Sequence, residues 1–181
     1  MGTCDLSAGA CSIIRTDLTA GVRSITATYL QDTDFSTSTS AAVSVTVAKA
    51  VTRTTLTSSL ATGSTYGQTV RLTVVVDSTT ATPVGSVAIA DGGVALGSCA
   101  LVTRDATSAT CDLTTATLAA GSHPLTATFA GDANLVGSSG AFTQPVAQAA
   151  TSTALVSLSP TTAWRQTARF RATVTAPAGL A

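Results

Sequence analysis

The sequence predicts an all-β protein built from antiparallel β-sandwiches, and three observations support this prediction. About a fifth of the 181 residues are threonine, glutamate is absent and Lys49 is the only lysine, so β-branched residues are abundant and strong helix formers are scarce. Short stretches of alternating apolar and polar residues recur between turn residues, as in β-sandwiches. The chain also repeats itself with a period of about 100 residues, a common size for a sandwich with its own core.

The repeat divides the chain into one whole unit and two partial ones. Residues 18–35 return as residues 118–135, and residues 66–74 return as residues 164–172. We therefore predict tandem repeats, namely the C-terminal half of one repeat at residues 1–49, a complete repeat at residues 50–149 and the N-terminal part of a further repeat at residues 150–181. Because Met1 falls inside a repeat, we expect the chain to be part of a longer exported polypeptide.

Alternation and turn residues predict the strands of the complete repeat in order. They are residues 52–58, 68–77, 84–90, 94–101, 107–113, 123–130 and 138–147. The inward face of the second strand carries Val70, Leu72, Val74 and Val76. The third and fourth strands are joined by Asp91-Gly92-Gly93, which predicts a tight hairpin turn because glycine adopts positive φ without penalty.

The sixth strand and the connection before it complete the predicted core. The inward residues of this strand are Leu125, Ala127 and Phe129, and in the earlier copy they are Ile25, Ala27 and Tyr29. The connection at residues 118–121 places Leu118 in the core.

Four motifs in a fixed order resemble those of bacterial Ig-like repeat domains, which occur in tandem on large secreted and surface proteins. The motifs are Tyr66-Gly-Gln-Thr-Val70, residues 82–93, Leu118-Ala-Ala-Gly121 and residues 125–134. The resemblance covers nearly the whole chain. It implies an immunoglobulin-like sandwich that serves as a spacer or adhesive module and has no catalytic residues. Unlike antibody domains, the chain has no core tryptophan, and we expect no disulfide between its sheets.

The four cysteines form one pair in each copy. Cys4 and Cys11 face each other across a short hairpin loop in our interpretation, and Cys99 and Cys111 do so around a longer loop. Since the spacing changes while the partner does not, we expect disulfides across adjacent strands, with buried free thiols as the alternative. A zinc site would need four convergent nitrogen or sulfur ligands, which neither copy supplies. Disulfides indicate an oxidising compartment and hence an extracellular or cell-surface location.

His123 is the only histidine and is therefore the first candidate for a general base or a pH switch. Its counterpart in the earlier copy is Arg23, at the start of the same strand, which indicates a polar position at the end of the sandwich. The nearest orienting carboxylate we expect is Asp132, about 30 Å away at the other end of that strand. We therefore predict no catalytic dyad.

A pair of oxygen-bearing side chains repeats in the loop after the sixth strand, as Asp32 and Asp34 in one copy and Asp132 and Asn134 in the other. Such a pair can begin a weak calcium site, but calcium takes six or more oxygen ligands and the loop supplies few. We favour a turn in which these side chains bind their own backbone, with calcium as the alternative.

The composition limits the partners. A formal net charge of +0 with 10% charged residues provides no basic surface for nucleic acid. The apolar runs are too short to span a bilayer, so we expect no membrane insertion. Only 4% of residues are aromatic, which counts against an aromatic platform for a glycan. No nucleophile elbow is present, so we predict a non-enzymatic stalk without cofactors. The alternatives are an accessory module of a secreted enzyme that binds a carbohydrate or another ligand, such as a surface glycan or protein, and a weak improvised hydrolase.

The terminal partial repeats predict self-association. Each would expose an apolar face and unpaired strand edges on its own. We expect the first strands of one molecule to dock on the later strands of another, as a dimer or a head-to-tail filament. The docking residues are Leu155, Phe170 and Val174 on one side and Ile25, Tyr29 and Val43 on the other.

Overall fold

The computed structural model describes residues 2–176, and within that range all regular secondary structure is β-strand. In chain order the strands are β1 (Gly21–Ile25), β2 (Thr28–Tyr29), β3 (Ser38–Thr39), β4 (Val43–Val47), β5 (Thr52–Ser58), β6 (Ser64–Thr65), β7 (Val70–Ser78), β8 (Ser86–Asp91), β9 (Val94–Ala100), β10 (Val102–Thr103), β11 (Ser108–Thr115), β12 (Gly121–Gly131), β13 (Val136–Ala147), β14 (Ser152–Ser157) and β15 (Phe170–Thr175). Among these residues no helix is long and apolar enough to cross a membrane.

Strands β5 to β13 form a sandwich of two sheets. The first sheet has four strands in the order β10-β11-β7-β5, and the second has five in the order β6-β13-β12-β8-β9. All pairs are antiparallel except β13 and β6, which are parallel. This confirms the predicted all-β, immunoglobulin-like class. All seven predicted strands are present, whereas the two-residue strands β6 and β10 were not predicted because two residues carry no alternation.

The core lies between the two sheets and is formed by the predicted inward faces. The inward residues of β7 are at most 1% exposed, and those of β12 are at most 2% exposed. Val87 and Ile89 of β8, Leu118 and Leu135 join them in the core region. Each fully buried valine, leucine or phenylalanine of this set contributes about 1.5–3 kcal/mol to the hydrophobic stabilisation of the fold.

The hairpin between β8 and β9 forms at the predicted place. Asp91 pairs with Val94, which leaves a two-residue loop of Gly92 and Gly93 with φ of 54° and 89°. Positive φ at both positions is the geometry that a two-residue hairpin turn of this kind requires, and glycine meets it at little cost. The turn fixes Asp91 at the end of the sheet, beside the start of β12.

The two terminal pieces are open pairs of strands rather than sandwiches. Residues 2–49 contain β1 paired with β4 and β2 paired with β3, and the described part of the last piece, up to residue 176, contains β14 paired with β15. Thr28 pairs with Thr39 as Thr128 pairs with Ser139, in the same register 100 residues later. The last residues of the predicted segment 150–181, namely 177–181, lie outside the described residues.

Candidate functional site

The loop at residues 132–135, between β12 and β13, holds the segment that enters the sandwich. Ala50 donates its backbone N–H to the carbonyl oxygen of Asn134 at 2.9 Å, and Val136 donates its own to the carbonyl oxygen of Ala50 at 2.8 Å. Lys49 places its Nζ 2.6 Å from the carbonyl oxygen of Asp132. The linker between β4 and β5 is therefore held against this loop by hydrogen bonds.

The same loop also contacts the first terminal piece directly. The side-chain Oδ1 of Asn134 accepts a hydrogen bond from the backbone N–H of Ala20 at 2.9 Å. Ala20 lies in the connection at residues 18–21, just before β1. We call residues 132–135 the joint loop, because they bind both the linker between β4 and β5 and the first terminal piece.

The carboxylate of Asp132 builds the joint loop from within. Its Oδ1 accepts backbone N–H groups from Asn134 and Leu135, both at 2.9 Å. Asp32 does the same in the first copy, accepting from Asp34 at 2.9 Å and from Phe35 at 2.7 Å. Asp32 and Asp132 thus bind their own backbone as the turn interpretation expects, whereas the side chain of Asn134 binds Ala20 instead. Within residues 2–176, no three His, Cys, Asp or Glu side chains are grouped so that they could hold a metal ion.

Asp32 has a further partner that Asp132 lacks. The hydroxyl of Tyr29 donates to its Oδ2. This hydrogen bond, together with the backbone N–H groups of Asp34 and Phe35, lowers the pKa of Asp32 below its usual value. The first copy of the turn is therefore held by an ionised carboxylate at neutral pH.

All four cysteines are joined in the predicted pairs, Cys4 with Cys11 and Cys99 with Cys111, with Cα–Cα distances of 5.9 and 5.6 Å. The first pair closes a hairpin loop in which Ser7 and Ala10 exchange backbone hydrogen bonds.

The expected location of the second pair was wrong. Cys99 lies in β9, in the five-stranded sheet, and Cys111 lies in β11, in the four-stranded sheet. The bridge therefore joins the two sheets, contrary to the expectation that no disulfide would do so. The spacing of the cysteines did not reveal this because the chain crosses from one sheet to the other between β9 and β10.

His123 has a carboxylate partner that the sequence did not indicate. Its Nδ1 lies 2.6 Å from Oδ2 of Asp91, its Nε2 lies 2.7 Å from the carbonyl oxygen of Ala119, and its side chain is 13% exposed. The expectation that Asp132 is the nearest carboxylate, too far away to pair with His123, was therefore wrong, whereas the absence of a catalytic role stays a prediction. Asp91 comes close because it pairs opposite Leu125 when β8 adds to β12, and a sequence does not reveal which strands are neighbours.

The contacts of His123 favour its protonated form. A carbonyl oxygen and a carboxylate can only accept, so both hydrogen bonds are made together only when both ring nitrogens carry a proton, as in the imidazolium. The hydrogen bond to Asp91 raises the pKa of His123 above its usual value, and burial opposes the rise.

Arg23 makes the corresponding contact in the first piece. Its Nε donates to the carbonyl oxygen of Thr19 at 2.9 Å, just as His123 donates to that of Ala119. In each copy a cation at the start of the strand therefore holds the connection that precedes it. The match between Arg23 and His123 in the sequence pointed to this shared position, although not to the contact.

Comparison with known proteins places the sandwich in a family. The family model described as Bacterial Ig-like domain (group 3) matches residues 56–147. The chain belongs to this family. No curated protein matches the chain. Bacterial Ig-like domains are typically non-catalytic structural or adhesive modules, and an extracellular location is consistent with the family and with the two disulfides.

Two further polar groups of this bacterial Ig-like chain, Gln144 and Asp112, are held by hydrogen bonds from neighbouring strands and loops. Gln144 is completely buried, and its amide accepts from Ser58 and donates to the carbonyl oxygen of Leu60. On the outer surface Asp112 accepts from Arg71 and Thr73, and the hydrogen bond from Arg71 is the main reason that the pKa of Asp112 is lowered. Each of these groups is thus satisfied by partners within the sandwich.

Proposed function

We propose that this bacterial Ig-like chain is a non-catalytic spacer and adhesive module of a large extracellular protein, in which tandem repeats are joined end to end by the joint loop. The observation that carries the proposal is the pair of contacts made by the joint loop, with the linker at Ala50 and with the preceding piece at Ala20. A flexible string of domains would not need either contact.

Linker length supports the same function. Four residues separate β4 from β5, and four separate β13 from β14. Linkers this short restrict the relative rotation of neighbouring units, and equal lengths favour an equal step from one unit to the next. An array built in this way extends with a reproducible twist.

The places where the complete repeat adjoins the preceding and the following piece lie at opposite ends of β13. The joint loop precedes β13 at Val136, and the linker to the last piece follows β13 at Ala147. A strand of this length spans about 36 Å at the usual rise per residue. The preceding and following units therefore continue away from each other, as a spacer requires.

The disulfides fit an exported spacer. All four cysteines are paired, and disulfides of this kind persist outside the reducing cytosol. We propose an extracellular or cell-surface location on this basis.

NMR relaxation tests the joint directly. In a dilute, monomeric sample the backbone amides of β1 and β4 should report the same overall tumbling as those of the sandwich, because the joint loop holds the two units together. The double substitution Asn134→Ala and Lys49→Ala removes two of the joint contacts and should make the first piece tumble independently. The matched control is Ala133→Ser, which changes an exposed residue of the same loop. Independent tumbling in the unmodified chain would contradict the proposal.

A further inference from the structure

One peptide group connects the side chain of Arg23 to the joint loop. Its carbonyl oxygen, that of Thr19, accepts a hydrogen bond from Nε of Arg23 at 2.9 Å, and its N–H, that of Ala20, donates to Oδ1 of Asn134 at 2.9 Å. We propose that Arg23 is a positioning residue of the joint, which holds this peptide group so that its N–H points at Asn134. The inference rests on the proposed function and names the side chain on which that contact depends.

The guanidinium of Arg23 binds the connection before β1 at several points. Besides the carbonyl oxygen of Thr19, it binds the carbonyl oxygen of Ala20, to which Nη2 donates at 2.9 Å, and Oγ1 of Thr19. Because a guanidinium is planar and its N–H groups have fixed directions, these hydrogen bonds determine where the connection lies relative to β1. A lysine ammonium has the same charge but cannot reproduce this fork.

A planar peptide group links the position of its carbonyl oxygen to the direction of its N–H. The trans peptide is rigid, and its C=O and N–H bonds point in opposite directions, so binding of the Thr19 oxygen also sets the direction of the Ala20 N–H. A cation on the carbonyl side polarises the group and makes its N–H a stronger donor. Asn134 therefore accepts from a donor whose direction and strength are set within the first piece.

The complete repeat contains the same arrangement. Nε2 of His123 lies 2.7 Å from the carbonyl oxygen of Ala119, which belongs to the peptide group that carries the N–H of Ala120. Ala120 lines the cleft between the sandwich and the last piece, together with Gln148 and Thr151. In both copies, the peptide group held by the side chain at this strand position therefore lies where one unit adjoins the next.

The charge of Arg23 is directed at the connection rather than at an acidic side chain. Within residues 2–176, the ion pairs that involve arginine are formed by Arg15 and Arg71. The side-chain hydrogen bonds of Arg23 end on oxygen atoms of Thr19 and Ala20. No carboxylate of the described chain therefore competes with the connection for this guanidinium.

Hydrogen exchange of the Ala20 amide in the full chain tests this inference. The amide should be protected in the unmodified chain, and Arg23→Lys, which keeps the charge but not the fork, should speed its exchange by about tenfold. The amides of β1 and β4 should keep their protection, because the backbone pairing of these strands does not involve the Arg23 side chain. The matched control is Arg15→Lys, since Arg15 lies in the same piece but binds Asp17; it should leave the exchange of Ala20 unchanged.

A double-substitution cycle determines whether Arg23 acts through the contact with Asn134. Asn134→Ala removes the acceptor, so adding Arg23→Lys to it should change the exchange rate of the Ala20 amide little further. Additive effects of the two substitutions would overturn the inference. An Ala20 amide that is as well protected in Arg23→Lys as in the unmodified chain would overturn it too.

NMR relaxation separates this inference from the spacer proposal. Arg23→Lys combined with Lys49→Ala should make the first piece tumble independently, as Asn134→Ala with Lys49→Ala does, whereas Arg15→Lys with Lys49→Ala should keep common tumbling. Independent tumbling in the unmodified chain would overturn both the spacer proposal and this inference. Common tumbling that persists in the variant with Arg23→Lys and Lys49→Ala would overturn the inference alone.

Discussion

At the scale of single residues, the cation at the start of the strand determines how firmly the preceding connection is held. The arginine side chain is a permanent cation, whereas His123 makes both of its hydrogen bonds only as an imidazolium. The complete repeat therefore contains a pH-sensitive form of a contact that is insensitive in the first piece. The sequence located His123 at a polar position through Arg23, but it could not supply Asp91, which lies 32 residues away on a neighbouring strand.

The contact predicts a pH dependence for the stability of the complete repeat. Because the folded protein raises the pKa of His123, this stabilisation is fully present below the unfolded pKa near 6.5 and is lost as the pH rises through the folded pKa. We expect the free energy of unfolding to fall as the pH rises through the folded pKa of His123, because the neutral ring loses one of its two hydrogen bonds. Denaturant unfolding of His123→Arg should show a much flatter profile, as the charge is then permanent. An unchanged profile in that variant would assign the pH dependence to another group.

At the scale of elements, the alternation of apolar residues predicted the strands and their inward faces, because burial on one side imposes a period of two. It did not predict how the chain passes from one sheet to the other. Because the chain crosses to the other sheet after β9, the disulfide that we expected within a hairpin joins the two sheets instead. Turn residues mark where a strand ends, whereas the next partner depends on packing throughout the sandwich.

The location of the bridges predicts unequal contributions to stability. Cys99–Cys111 joins the two sheets, and Cys111 is buried in the core. Replacing this pair by serine should lower the stability of the complete repeat by about 2–3 kcal/mol and its Tm by about 10–20 °C, without abolishing the fold. The matched control is the serine variant of Cys4 and Cys11, which lie outside the sandwich. Equal losses by differential scanning calorimetry would be inconsistent with the observed location of the bridges.

At the scale of the whole molecule, the central feature is the joint loop between the first piece and the complete repeat. The sequence predicted the oxygen-bearing residues of this loop as turn formers, and the hydrogen bonds of Asp32 and Asp132 agree with that. It gave no sign that Asn134 would bind Ala20, because that contact joins a side chain to a backbone N–H 114 residues away. A backbone N–H is not specific to any residue type, so the sequence does not mark Ala20 as the donor. Only the folded structure of both units reveals this hydrogen bond.

Small-angle X-ray scattering of the monomer tests the end-to-end arrangement most directly. Summed strand lengths give a rod of roughly 85 Å, and hence a radius of gyration of about 25 Å. A compact globule of the same chain length would have a radius of gyration of about 16 Å. We expect a dilute, monomeric sample of the chain to give the larger value with an elongated distance distribution. A radius of gyration near the compact value would contradict the spacer account.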